Sequence, residues 1–133
     1  MLATSSPTST GVDRQTSVIL SYAQGQSAVL QFALDQAGPN SAVVLGTEGW
    51  VEIASTWYQP TSFLVYNSEN VVIEGFDAEV TSRGGKYQAW ELERLVRAGE
   101  TAGTVLSPTE SIGIMKTMDE IRAQIGLRYS SDR

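Results

Sequence analysis

Between Glu74 and Tyr87 the spacing of apolar side chains changes from two to 3.6, with every strand signal before that point and every helix signal after it. A repeat of two belongs to a strand with one face turned to a core, and 3.6 to an amphipathic helix. Strands first and helices last describe an α+β fold. Short turns between successive strands rule out parallel crossovers, so the pairing is expected to be antiparallel.

The individual strands follow from alternation and turn chemistry. Thr16, Val18, Leu20 and Tyr22 alternate with Gln15, Ser17, Ile19 and Ser21, and a Gly25 turn leads into Ala28, Leu30, Phe32 and Leu34. Together they form a β-hairpin. Beyond the loop Gln36-Ala37-Gly38-Pro39-Asn40, strands are expected at 42–45, 50–53, 62–66 and 71–74. Helical spacing then relates Tyr87, Trp90, Glu91, Arg94, Leu95 and Ala98, with Arg97 in the last turn and Gly99 as terminator. In the second helix Ser107 reads as N-cap, Pro108 as first helical residue and Glu110 as capping-box partner. Ile114, Met115, Met118, Ile121 and Ile125 share a face there, and Gly126 ends it. The expected architecture is a single open, mainly antiparallel sheet of about six strands with both helices packed on one face. Residues 1–10 read as a disordered lead-in, and 11–133 as one domain.

The chain has 133 residues and neither cysteine nor histidine. That double absence removes disulfides, thiol nucleophiles, Cys/His metal sites and every triad that needs an imidazole. A net charge of −6 disfavours nucleic acid and anionic membrane surfaces alike. No apolar run is long enough to span a bilayer, and the Ser/Thr-rich start does not resemble a signal peptide. The cytoplasm is therefore the expected compartment.

Charged residues make up 18% of the chain, which leaves much neutral surface. One strand face, carrying Ser17, Ile19, Ser21, Val29 and Gln31 with Ala33, has no charged side chain. A solvated sheet face with scattered apolar residues is one reading of it, and contact with another subunit is the other.

Candidates for binding chemistry are few. Trp57 and Tyr58, in a loop before Pro60, and Tyr87 offer aromatic faces and phenol groups suited to ring substrates. Arg83, ahead of Gly84-Gly85, stands beside a helix start that could hold a polar or anionic group, although a flexible helix entry explains the same residues. Glu91 with Glu93, and Asp119 with Glu120, read as solvated helix faces. No G-x-G-x-x-G fingerprint is present, so no nicotinamide cofactor is expected to bind here.

Several stretches, in order and spacing, resemble the C-terminal domain of the glucose–fructose oxidoreductase / inositol dehydrogenase (Gfo/Idh/MocA) family, nearest its dihydrodiol dehydrogenase-like branch. They are Gly11-Val12-Asp13-Arg14-Gln15-Thr16-Ser17, Leu45-Gly46-Thr47-Glu48-Gly49-Trp50 before Trp57, Tyr87-Gln88-Ala89-Trp90-Glu91-Leu92, Arg97-Ala98-Gly99, the Ser107-Pro108 cap, and Met118-Asp119-Glu120-Ile121-Arg122. The likeness covers about residues 11–129. It implies a two-domain enzyme whose N-terminal Rossmann domain, outside this chain, binds NAD or NADP and carries the lysine of a Glu-Lys-Pro motif. It also implies a sugar, polyol or diol substrate, a substrate-lining aromatic at the position of Trp57, and a homo-oligomer formed through the open sheet. The alternative is a free-standing, non-catalytic ligand-binding or protein-interaction module of the same fold.

Overall fold

The computed structural model describes residues 1–79 and 83–129. In chain order it contains β1 (Leu2–Pro7), β2 (Asp13–Ser21), β3 (Ser27–Ala33), β4 (Ala42–Leu45), β5 (Gly49–Ile53), β6 (Phe63–Asn67), β7 (Val72–Phe76), α1 (Gly85–Ala98) and α2 (Pro108–Ile125). The α+β class, the antiparallel pairing and the C-terminal helices are as expected.

The single sheet of about six strands is corrected. The strands form two sheets, β1-β2-β3 and β4-β5-β6-β7, with every neighbour antiparallel. The break falls at residues 34–41, where Pro39 offers no N–H for a ladder and the connection is too long for a tight hairpin. Two compact units result, one of residues 1–37 with 102–133, the other of residues 38–101. Helix α2 belongs to the first and α1 to the second.

In the first unit, the segment expected as a disordered lead-in is strand β1. A turn closed by Thr8 N–H to Val12 O (2.7 Å), with Gly11 at φ 88°, sets it against β2. The register then pairs Thr4 with Ser17, which pairs with Gln31, while Leu2 pairs with Ile19, which pairs with Val29. All of these lie on one face, as alternation predicts for Ser17, Ile19, Ser21, Val29 and Gln31. On the opposite face Val18 is 1% exposed and Thr16 3%. The Thr16 hydroxyl donates to Ser5 Oγ at 3.1 Å, so its burial leaves no orphan donor. Helix α2 closes the free edge of β1 through one side chain. Gln124 Oε1 accepts from Ala3 N–H at 2.8 Å, and Gln124 Nε2 donates to Met1 O at 3.4 Å. The amide thus stands in for a neighbouring strand at an edge that would otherwise be open.

The capping box of α2 forms as its sequence requires, with Glu110 N–H donating to Ser107 Oγ (3.2 Å) and Ser107 N–H to Glu110 Oε2 (2.7 Å). The Ser107 backbone N–H is the main cause that holds the Glu110 carboxyl below the usual carboxylate range. Replacing Ser107 by Ala should lower stability by about 1 kcal/mol in urea titrations at neutral pH. A depressed folded pKa contributes stability above the ordinary glutamate value and loses it as pH falls. The Glu110 contribution should therefore fade below about pH 4 in Ser107→Ala as in the wild type, because alanine keeps the backbone N–H from which the carboxylate accepts.

The second unit is a four-strand meander followed by α1. At its β5 start, a Cβ on Gly49 would coincide with the Tyr66 carbonyl, so only glycine admits β6 at this distance. An Asx turn joins β6 to β7, with Asn67 Oδ1 accepting from Glu69 N–H (3.0 Å) and Val71 N–H (2.9 Å) and Asn70 at φ 61°. Trp50 stacks on its cross-strand partner Tyr66 with centroids 4.0 Å apart. Among the described residues this unit buries no side chain fully.

The consequence is a large exposed surface. The chain presents 10630 Å², whereas two separate compact units of half its mass would together present about 8,200 Å². The excess does not depend on how the units are arranged.

Candidate functional site

All four candidate binding residues, Trp57, Tyr58, Arg83 and Tyr87, lie in the second unit. Trp57 and Tyr58 occupy the loop from β5 to β6, whose base is closed by Ala54 N–H to Ser62 O at 3.0 Å. Trp57 N–H donates to Asn40 O at 3.2 Å, and Asn40 Nδ2 lies 3.5 Å from the Tyr58 phenol oxygen. The two rings meet edge to face, with centroids 5.7 Å apart. They are 44% and 63% exposed, too open to serve as a plug over a core.

Tyr87 lies in the first turn of α1 and forms a second edge-to-face pair with Trp90, centroids 5.6 Å apart. The Lys86 ammonium lies 5.2 Å from the Tyr87 centroid and 5.6 Å from that of Trp90, within cation–π range. The loop and the helix start meet at Pro60, whose ring packs against Gly84, with Tyr87 alongside. Arg83 is exposed immediately before that contact and makes no ion pair among the described residues. Pro60 therefore links the two aromatic pairs. Asn40, Lys86 and Trp90 join the cluster without having been singled out for it. Trp90 follows Tyr87 at i, i+3, the spacing that brings two side chains together on a helix surface.

The carboxylates near the site are committed elsewhere. Glu91 holds Arg94 in a bidentate pair, both contacts at 2.9 Å, and those hydrogen bonds keep its carboxyl below the ordinary range. Glu93 pairs with Arg97 at 2.6 Å. The Glu91 carboxylate, held ionised by Arg94, makes a poor proton acceptor at neutral pH. Among the described residues no cluster of acidic side chains could hold a metal ion.

The Arg83-Gly84-Gly85 segment does not fit a dinucleotide. The strand before it, β7, is antiparallel to its neighbour, so it opens no βαβ unit among the described residues.

No family model matches the chain. Among curated proteins it is 33% identical over 128 residues to trans-1,2-dihydrobenzene-1,2-diol dehydrogenase of Danio rerio, covering 92% of this chain and 38% of that protein. The enzymes of the same name from Xenopus tropicalis (128 residues) and Mus musculus (129 residues) are each 30% identical, covering 90% and 93% of this chain and again 38% of the relative. An antiparallel α+β domain with oxidoreductase relatives is thus the class that the fold and these matches define. Over 90% or more of its own length the chain is similar to the dihydrodiol dehydrogenase-like branch of the Gfo/Idh/MocA type, and it spans 38% of those relatives.

Proposed function

We propose that this chain is the C-terminal, substrate-side and oligomer-forming domain of an NAD(P)-dependent oxidoreductase acting on a sugar, polyol or diol, and that alone it transfers no hydride. The observation that carries this reading is the aromatic cluster of Trp57, Tyr58 and Tyr87 beside Arg83, after a strand whose antiparallel pairing is not that of a dinucleotide fold. Ring faces cover the carbon skeleton of a substrate while phenol and guanidinium groups donate to its hydroxyls. The chain spans 38% of the diol dehydrogenases that it resembles. A Rossmann domain holding NAD or NADP would occupy part of the remainder and present C4 of the nicotinamide to the substrate carbinol. The compartment that goes with this reading is the cytoplasm.

The oligomer would form through the uncharged face of β1-β2-β3, around Ser17, Ile19, Ser21, Val29 and Gln31, and the register adds Leu2 and Thr4 to it. Leu2, Ile19 and Val29 are exposed on this face, at 65%, 43% and 79%.

Calorimetric titration of the purified chain with NADH and with NADPH should show no binding. Assays with polyols and diols should show no turnover. Micromolar affinity for either nucleotide, or turnover of any diol, would overturn the reading.

A further inference from the structure

The contact between Gly84 and Pro60 has a geometry that a helix start alone does not require. Gly84 adopts φ +80°, in the left-handed region where glycine is favoured, though asparagine is tolerated there. A Cβ at this position would lie 2.7 Å from Pro60 Cγ and 3.1 Å from Pro60 Cδ. The proline ring has no rotamer by which to withdraw, because its carbons are closed onto its own backbone nitrogen. A methyl group at residue 84 must therefore push the 57–60 loop and the first turn of α1 apart.

One aromatic pair hangs on each side of this contact, Trp57 with Tyr58 from the loop and Tyr87 with Trp90 from the helix. The loop's hydrogen bonds run to Asn40, to Ser62 and among its own residues. It meets the helix through the Pro60 ring. We propose that Gly84 is a positioning residue whose missing side chain sets the separation between the loop pair and the helix pair, and so the width of the aromatic wall. The inference rests on the reading of that wall as substrate-facing. It adds the determinant of the wall's spacing and hence of the size of ring or carbon skeleton it accepts.

The chain contains three tryptophans, Trp50, Trp57 and Trp90, so 5-fluorotryptophan labelling gives three fluorine resonances, assignable by single Trp→Phe changes. Gly84→Ala should shift the resonances of Trp57 and Trp90 and leave Trp50, on the sheet, in place. Adding Pro60→Ala to Gly84→Ala removes the ring carbons that clash and should return both resonances to their positions in the Pro60→Ala single variant. The cost of a left-handed alanine remains in the double variant, so its melting temperature should stay depressed. Shifts that recover without stability distinguish positioning from strain. If Gly84→Ala lowers stability with all three resonances unmoved, or if Pro60→Ala does not reverse the shifts, the inference fails. Should Gly84→Ala not fold, recovery of folding in the double variant supports the contact and its absence refutes it. Titration of the wild type with catechol tests the underlying reading separately. Perturbation of neither Trp57 nor Trp90 would remove the substrate wall while leaving the Gly84 coupling measurable.

Discussion

Lysine placed at both Ser17 and Gln31 should turn a dimer of this chain into monomers in sedimentation velocity, with the far-ultraviolet circular dichroism unchanged. The two positions are direct cross-strand partners on the open face of the three-stranded sheet. Neither side chain is in the buried layer, so the monomer should tolerate the change. Gln31 would lose only a long 3.4 Å bond from its Nε2 to Gln36 Oε1, at the end of an amide chain that continues to Gln15. Across a two-fold contact the same patch meets itself, and the four ammonium groups of the two copies are brought together. Unit charges 4 Å apart cost about 1 kcal/mol in water and about 4 kcal/mol at the effective dielectric of a protein surface. A micromolar dimer has only about 8 kcal/mol to lose. A shift in Kd of 1,000-fold or more is therefore expected, on the order of 4 kcal/mol. Raising the salt should restore part of the association, because screening shortens the reach of exposed charges. A wild-type chain that is monomeric at micromolar concentration, or a doubly substituted chain that still dimerises, would remove the proposed contact.

What the sequence made legible was short in range. The Ser107-Pro108-Thr109-Glu110 cap and the Gly99 and Gly126 terminators each depend on residues within one turn of each other, and each forms as read. The open face was legible too, since a strand's period of two fixes which side chains share a side. Strand β1 was not legible, because Leu2–Pro7 is mostly Ser and Thr and its order comes from pairing with β2 and from Gln124 far along the chain. The division into two sheets was hidden for a related reason. Alternation shows that β3 and β4 are strands but says nothing about whether they pair across residues 34–41. In the candidate site the residue types were readable, namely Trp57, Tyr58, Arg83 and Tyr87. The Pro60–Gly84 contact that brings them near each other spans the whole of β6 and β7 and leaves no local pattern. Helix α1 carried a mixed signal. Leu95 is half-buried as its stripe predicts, yet Tyr87 and Trp90 of the same stripe are exposed, as are Leu92 and Val96 outside it.

The strongest asymmetry in the molecule can be tested with one pair of substitutions on the same sheet. Val18, on β2, is 1% exposed, and Val29, on β3, is 79% exposed, with the two on opposite faces. Val18→Asp puts a carboxylate into the only fully buried hydrophobic position among the described residues. Thr16 and Ser5, the hydroxyls nearby, are already bonded to each other and to Gln15 O. An unpaired buried charge of this kind costs about 4 kcal/mol or more, close to the entire stability of a unit this small, roughly 5 kcal/mol. The first unit should be largely unfolded in urea-free buffer, seen as lost β signal in circular dichroism. Val29→Asp should change the stability of the monomer by no more than about 0.5 kcal/mol, because its carboxylate stays in water. Its effect should appear instead in association, since Val29 sits beside Ile19 in the middle of the proposed contact. Unfolding has to be compared at concentrations where wild type and variant are both monomeric, because a dimer adds stability by mass action. Equal destabilisation by the two substitutions under those conditions would mean that both faces are covered within one chain, and no face would then be left for a second copy to occupy.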